Sequence, residues 1–452
     1  MGEGNVSSEP VAPESAPPSR LARRLGMQDA VVVGLGSMIG AGVFAAFAPA
    51  AKAAGAGLLL GLVLAGIVAY CNATSSARLA AVYPESGGAY VYGRRRLGRW
   101  PGFLAGWGFV AGKLASCTAI ALTFGRYVAP SLARPLAVAA VIGLTLVNLR
   151  GIGKTAALTR VLVVVVLGAL AVFVVAALVG SGASGGNLVP LTGGGGGGVL
   201  RAAGFLFFAF AGYARIATLG EEVVDPRRTI PRAITVALGL TLIVYGIVAV
   251  VALAAVGPAT LAATQTPLKS VLEAGTASRV TPVVQVGAAV ASLGVLLSLL
   301  AGVSRTTFAM AQGGELPRWL GAVEPVRRVP HHAELVIGAV VAVAVALGDI
   351  RNAIGFSSFC VLVYYAIANL SALTLRARVS SRLIPAIGLA GCLALAFALP
   401  VRSVVAGAAV LTAGLAARVI ALSRRGPPRD RLTAGRPTDS RAARGAGGTP
   451  RA

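Results

Sequence analysis

Charge is scarce in this sequence. Only 12% of its 452 residues are charged, against about 25% in a typical water-soluble chain. That leaves too little polar surface to cover, in water, a chain that is 56% apolar. Cysteine is scarce too. Cys71, Cys117, Cys360 and Cys392 all fall inside apolar runs without C-x-x-C spacing, which points to small buried thiols and not to disulfides or metal ligands. The two histidines, His331 and His332, are adjacent in a basic loop with no spaced partner and no nucleophile to serve, so neither metal binding nor acid-base catalysis is supported. Gly153-Lys154-Thr155 suggests a phosphate loop, but the glycine required at position 148 is Asn148, and an apolar span precedes it instead of a strand. With no catalytic constellation, the chain reads as a non-enzyme that needs no cofactor or metal. Residues 1–20 lack an apolar core and are expected to be a polar tail, not a cleavable signal.

What the sequence does have is long apolar runs, with a mean hydropathy of +0.81. Stretches near 29–50, 57–79, 101–128, 132–149, 160–180, 200–220, 233–256, 281–303, 334–349, 353–375, 383–400 and 403–422 are bounded by Arg, Gly or Pro clusters. At about 20 apolar residues per crossing, they predict an all-α membrane protein with twelve transmembrane helices, the ninth of them short. Arginines gather on alternate loops: Arg20, Arg23 and Arg24; Arg94, Arg95, Arg96 and Arg99; Arg227, Arg228 and Arg232; Arg305, Arg318, Arg327 and Arg328. The opposite loops carry only scattered bases such as Lys52, Arg126 and Arg201. By the positive-inside rule both termini are expected in the cytoplasm of a multi-pass cell-membrane protein. The net charge of +25 is therefore topological and does not indicate a nucleic-acid partner. The arginine-rich tail from Arg424 has a disordered composition, and the run Gly193 to Gly198 reads as a flexible connector.

Two spans look interrupted. The first reads Gly34-Leu35-Gly36-Ser37-Met38-Ile39-Gly40-Ala41-Gly42-Val43-Phe44, with four glycines at mid-depth. Glycine favours unwinding, and amides freed at Ala41 and Gly42 would attract a carboxylate. The competing reading is a small-residue packing face through Gly36-x-x-x-Gly40. The sixth span reads Phe207-Phe208-Ala209-Phe210-Ala211-Gly212-Tyr213-Ala214-Arg215, again with glycine at mid-depth, now beside aromatics and an arginine. Two interrupted helices, each opening one of two five-span halves, point to an inverted-repeat transporter with its substrate between the breaks. Packing or lipid-facing aromatics are the alternative.

These residues, with Tyr83-Pro84-Glu85-Ser86-Gly87-Gly88-Ala89-Tyr90-Val91-Tyr92, Glu221-Glu222-Val223-Val224-Asp225-Pro226, Ile230-Pro231-Arg232-Ala233, Ser304-Arg305, Ala309-Met310-Ala311 and Leu316-Pro317, resemble the amino acid permeases of the amino acid, polyamine and organocation transporter superfamily. The resemblance runs from about residue 20 to 375; spans eleven and twelve agree mainly in hydropathy. It implies a LeuT-like 5+5 inverted repeat plus two C-terminal helices. On that basis residues 1–24 form a cytoplasmic tail and 25–422 the transporter domain, with repeats at 29–180 and 200–375 and extra helices at 383–422. A second tail covers 423–452. The resemblance further implies that Ser37, Met38, Ile39, Gly40, Ala41 and Gly42 hold the substrate carboxylate. Phe208, Ala209, Phe210, Ala211 and Gly212 would supply the aromatic gate and the amine site, and Ser292 lies near where sodium-coupled relatives place a hydroxyl ligand.

The sequence departs from the family in two places. Proton-coupled relatives often carry a lysine in the fifth span, where this chain has Val166. Instead Lys113 lies near the middle of the third span, where a lysine costs about 2.5–3.5 kcal/mol on translocon scales. It is a candidate proton acceptor or surrogate cation, with snorkelling as the alternative. Arg215 is the second departure, a candidate gate or structural pair with an inner-side carboxylate, with a contact for an anionic substrate group as the alternative. Glu221 and Glu222 are candidate inner-gate residues or simple loop formers. Ser357, Ser358, Tyr364 and Tyr365 either line the site or pack. The expected function is secondary active import of an amino acid, driven by protons with sodium as the other candidate. Exchange of an amino acid for an amine is the alternative, and a non-transporting sensor or scaffold a distant one. The expected partners are the amino acid and the lipid bilayer; the oligomeric state is open.

Overall fold

The computed structural model describes residues 25–83, 87–151, 156–217, 223–324, 327, 329–375 and 379–423. Both tails, residues 84–86 of the loop motif, and Glu221 and Glu222 lie outside these. Among the described residues the chain is helical throughout apart from turns and one isolated bridge between Leu25 and Val223. Ten helices are long and apolar enough to cross a membrane, and two more, His331–Leu347 and Leu383–Ala398, are apolar but shorter. Among the described residues, ten of the expected twelve spans are thus long enough to cross, while the ninth and eleventh fall on the two shorter helices. The fold is that of an all-α membrane protein.

The outer surface confirms the bilayer as solvent. On α8 (Ala156–Gly180), Val161, Val164, Val175 and Val179 are exposed while Val163, Val166, Leu170 and Phe173 are buried. A helix that is apolar all round yet exposes one full face is lined by lipid and not by water. The cysteines are all free and buried, as expected.

The first span is built from α1 (Met27–Met38), α2 (Ala41–Ala45) and α3 (Phe47–Ala54). Between α1 and α2 the backbone leaves helical geometry at Ile39 (φ −76°, ψ 69°) and Gly40 (φ −126°, ψ −145°). Ala46 keeps helical dihedrals, so α2 and α3 run on as one bent half-helix. The hairpin partner α4 (Leu58–Val82) and the short α5 (Ala89–Arg96) lead to α6 (Arg99–Val128), followed by α7 (Ala133–Leu149) and α8. The sixth span begins as α9 (Gly195–Phe210), tightens into a 3-10 turn over Ala211–Tyr213, and resumes as α10 (Ala214–Ala217). This interruption is milder than that of the first span. The tighter turn frees a few hydrogen bonds instead of unwinding the chain. Then come α11 (Pro226–Ala263), α12 (Pro267–Ala274), α13 (Thr281–Gln312), α14 (His331–Leu347), α15 (Ile350–Leu373), α16 (Leu383–Ala398) and α17 (Val401–Ser423).

The glycine run is not simply a connector, because Gly195 to Gly198 form the first turn of α9. A Cβ on Gly194 would lie 2.6 Å from the Ala54 Cα, and one on Gly198 2.6 Å from the Ala53 carbonyl oxygen. The missing side chains let α9 start directly against the end of α3, which brings the two interrupted spans together. Helix α17 is anchored as well as apolar. Arg418 pairs with Glu315, both side chains 3% exposed, and its guanidinium lies 4.9 Å from the Trp100 ring and 4.6 Å from the Phe103 ring.

Candidate functional site

The two interruptions meet. A Cβ on Gly212 would overlap the Ser37 carbonyl, and one on Gly42 would sit 2.6 Å from the Ala209 Cα. Only glycine at these positions allows the two backbones to touch. Their geometry is pinned from α11: the Tyr245 hydroxyl lies within hydrogen-bonding distance of the Met38 carbonyl and 3.2 Å from the Ala209 carbonyl. One hydroxyl proton thus serves two carbonyls, one from each break. On the far side of the first break, Tyr127 of α6 donates to the Phe44 carbonyl at 3.0 Å and accepts from the Leu268 amide at 3.3 Å.

Each break presents backbone groups that a continuous helix would consume. Ala41 and Gly42 begin the half-helix α2–α3, where the first amides have no partner within the helix and favour negative charge. Carbonyls at the ends of α1 and α9 favour positive charge. Lys113 of α6, 4% exposed, donates from Nζ to the Ala211 carbonyl at 3.3 Å and lies 5.9 Å from the Phe109 ring centre. The lysine therefore points into the bundle at the sixth-span break and does not snorkel.

Two adjoining cavities border the junction. A small one of about 30 Å³ is lined by Ser37, Met38, Gly40, Ala41, Gly42, Phe208, Ala209 and Gly212, with Lys113, Ser116, Ile120, Val295 and Leu299. A cavity needs roughly 10–15 Å³ to hold a water, so this one has room for about two. The neighbouring cavity, about 240 Å³, shares Ser37, Gly212 and Lys113 and extends past Ala211 and Arg215 to Ser298, Arg305, Thr306 and Tyr364. Its charged lining among the described residues is basic: Lys113, Arg215 and Arg305.

Most of the residues singled out from the sequence gather at this junction. Ile39 and Phe210 border neither cavity among the described residues. The Phe210 ring is fully buried, 5.3 Å from that of Tyr245. Ser292 is fully buried on α13, its hydroxyl without a hydrogen-bond partner, one turn before the Val295 that borders both cavities. Of the four residues named on α15, Tyr364 lines the larger cavity and accepts from the Ala89 amide at 3.0 Å. Ser357 is bonded to Ser116 at 2.6 Å, and the Ser358 and Tyr365 hydroxyls are buried without partners. Sequence reasoning missed Tyr245, Ser298 and Thr306, and named Arg305 only as part of a motif and as a base of a cytoplasmic loop. Tyr245 was detectable only as a hydroxyl within an otherwise apolar run.

A wider groove of about 580 Å³ lies between α6, α15 and α17, with Asp349 and Arg402 in an otherwise mostly apolar lining. It reaches neither break. Among the described residues no three His, Cys, Asp or Glu side chains cluster for a metal.

Comparison with known proteins agrees with this architecture. The amino acid permease family profile matches residues 25–420. An uncharacterized transporter of Mycobacterium tuberculosis (strain ATCC 25618 / H37Rv) is 63% identical over 406 residues, covering 88% of this chain and 91% of its own. A branched-chain amino acid permease of Bacillus subtilis (strain 168) is 26% identical over 373 residues, covering 77% and 80%. A chloroplastic cationic amino acid transporter of Arabidopsis thaliana is 25% identical over 385 residues, covering 77% and 65%. A family match over nearly the whole helical bundle identifies the chain as a member of the amino acid permease family, within the amino acid, polyamine and organocation superfamily, and as a membrane transporter, not an enzyme.

Proposed function

We propose that the protein imports a small or apolar neutral amino acid across the cell membrane by alternating access, driven by the proton gradient, with both termini in the cytoplasm. The observation that carries this reading is the contact between two interrupted spans beside the buried Lys113 ammonium. In this reading the substrate carboxylate docks on the amides at Ala41 and Gly42, and its α-ammonium on carbonyls of the Phe208 to Ala211 segment. Phe208, half-buried at the small cavity, covers the bound molecule. Lys113 stands as a fixed cation at the Ala211 carbonyl, in the role a bound metal ion plays in sodium-coupled carriers, and this favours protons over sodium as the driving ion. The three basic side chains around the larger cavity disfavour lysine and arginine as substrates, because each would bring a second positive charge into a low-dielectric space. Arg215, between the break and that cavity, serves as a gate.

The test is reconstitution of the purified full-length chain. Counterflow of labelled alanine, leucine, glutamate and arginine ranks the substrates. Accumulation under an inward proton gradient, a sodium gradient or neither identifies the driving ion. Neutral amino acids are expected to exchange and to accumulate only with the proton gradient. Uptake that requires internal substrate under every gradient would replace symport by exchange.

A further inference from the structure

We propose that Glu334 on α14 is the site at which the transported proton binds, and that its occupancy sets whether Arg305 faces the carboxylate or the substrate cavity. The proposal rests on the proton-coupled reading above and assigns the proton to a residue outside the junction. Glu334 lies in the first turn of α14, 4% exposed, and its Oε2 is buried without a hydrogen-bond partner. An ionisable side chain inside an apolar bundle is costly and is retained for a partner or a function. A carboxylate left short of donors there is relieved by a cation or by a proton.

The surroundings favour the proton. The polar side chains that act on Glu334 are Ser304 and Arg305 of α13 and Asn148 of α7. Ser304 gives its hydroxyl proton to the Leu300 carbonyl at 2.9 Å, and an Asn148 side-chain N–H goes to the Leu297 carbonyl at 3.3 Å, so neither fully serves the carboxylate. From α6 the titratable group that interacts with Glu334 is Cys117, one turn beyond Lys113. The 3-10 turn Arg318–Gly321 brings Arg318, which is exposed, and the Trp319 carbonyl, which meets His332 Nδ1 at 2.9 Å. On α14 itself, His331 precedes Glu334 by three residues, with its Nδ1 also unpartnered. A metal ion needs several oxygens around it, whereas a proton needs the one that is free.

Arg305 makes the link to transport. It is exposed, follows Ser304 directly, and lines the larger cavity beside Lys113 and Arg215. An ionised Glu334 draws the guanidinium toward α14. A protonated Glu334 releases it to the larger cavity, where its charge attracts the substrate carboxylate on its way to or from the Ala41 and Gly42 amides. One side chain on one helix thus reads both occupancies without a backbone change. Transfer is simple proton binding: Oε2 takes a proton from water on one side and returns it on the other.

The experiment compares wild type, Glu334→Gln, Glu334→Asp and His331→Gln, all full-length in proteoliposomes. Labelled leucine or alanine is the probe, whichever the wild type exchanges, and an external pH dye reports protons. Glu334→Gln mimics the protonated acid. It is expected to keep counterflow while losing both gradient-driven accumulation and substrate-induced alkalinisation outside. Glu334→Asp should stay coupled with a displaced pH profile, and His331→Gln should behave as wild type. Normal accumulation by Glu334→Gln would overturn the proposal. So would transfer of the defect to His331→Gln, or loss of counterflow and thermal stability in Glu334→Gln alongside an unchanged Glu334→Asp profile, which marks a structural residue. A wild type that exchanges leucine or alanine but ignores the proton gradient refutes the coupled reading itself, a result distinct from any variant's failure.

Discussion

The backbone contact between the two interrupted spans can be tested by adding single methyl groups. In Gly42→Ala the new Cβ would lie 2.6 Å from both Cα and Cβ of Ala209, whereas ordinary contact begins at 3.4 Å. The two interrupted spans would have to part by about 0.8 Å. Since Ala209 opposes the methyl with its own backbone, no flexible side chain can absorb the shift. Gly212→Ala is more severe, because its Cβ would overlap the Ser37 carbonyl. Overpacking of this kind costs about 1–3 kcal/mol, or roughly a fivefold to 150-fold loss if it falls on the substrate-binding state. Gly168→Ala and Gly239→Ala are the controls, since nothing lies within 4 Å of their added Cβ atoms and alanine is the better helix former. Each variant would be purified, its thermal transition measured in detergent, and its counterflow measured in proteoliposomes. The expected order of transport is controls equal to wild type, then Gly42→Ala, then Gly212→Ala. If Gly42→Ala and Gly212→Ala transport and melt like the controls, the two breaks do not meet as described, and the substrate site proposed between them falls with that contact.

Tyr245→Phe removes one proton shared by the Met38 and Ala209 carbonyls and leaves a buried acceptor unsatisfied, a loss of about 1–3 kcal/mol. A lower thermal transition with weaker substrate affinity is expected, and an unchanged affinity would confine Tyr245 to packing. Lys113→Met withdraws the ammonium from the Ala211 carbonyl and should let arginine compete for counterflow that it does not inhibit in wild type; continued indifference to arginine would show that Lys113 does not set charge selectivity. Glu315→Ala strands Arg418 in a site where both side chains are 3% exposed, at a cost of about 3–5 kcal/mol. Adding Arg418→Met should recover much of that stability in a detergent melt, and a double variant as unstable as the sum of the singles would refute the pairing.

Span positions were legible because an apolar run long enough to cross a bilayer is itself the physical requirement. The first break was legible because Gly36, Gly40 and Gly42 remove the side chains that hold a helix together, and the structure leaves helical geometry at Ile39 and Gly40. Which aromatic of the sixth span faces the cavity was not. Phe208 and Phe210 stand about 200° apart around α9, so they point to different faces, but spacing alone does not say which face meets the cavity. Once the helices are packed, Phe208 borders the small cavity while Phe210 packs on Tyr245. The run Gly193 to Gly198 reads as a flexible connector because composition reports flexibility but not the neighbouring backbone, here Ala53 and Ala54, that a Cβ would strike.

The ionisable groups show the same division at finer scale. Lys113 is visible in the sequence because a charge inside an apolar run is an energetic anomaly. The group that answers it is the Ala211 carbonyl, 98 residues away, and a backbone carbonyl has no sequence signature. Tyr245 is harder to see, because an aromatic ring suits an apolar run and only its hydroxyl, meeting a carbonyl 207 residues away, separates it from packing. Glu334 is harder again: it opens the ninth apolar run, where a charge reads as the end of a span, and only its burial with an unpartnered oxygen places it among the groups whose charge the bundle must manage. Residues of this kind are found by asking of each buried polar atom what satisfies it, and that question can be answered only after the helices are packed.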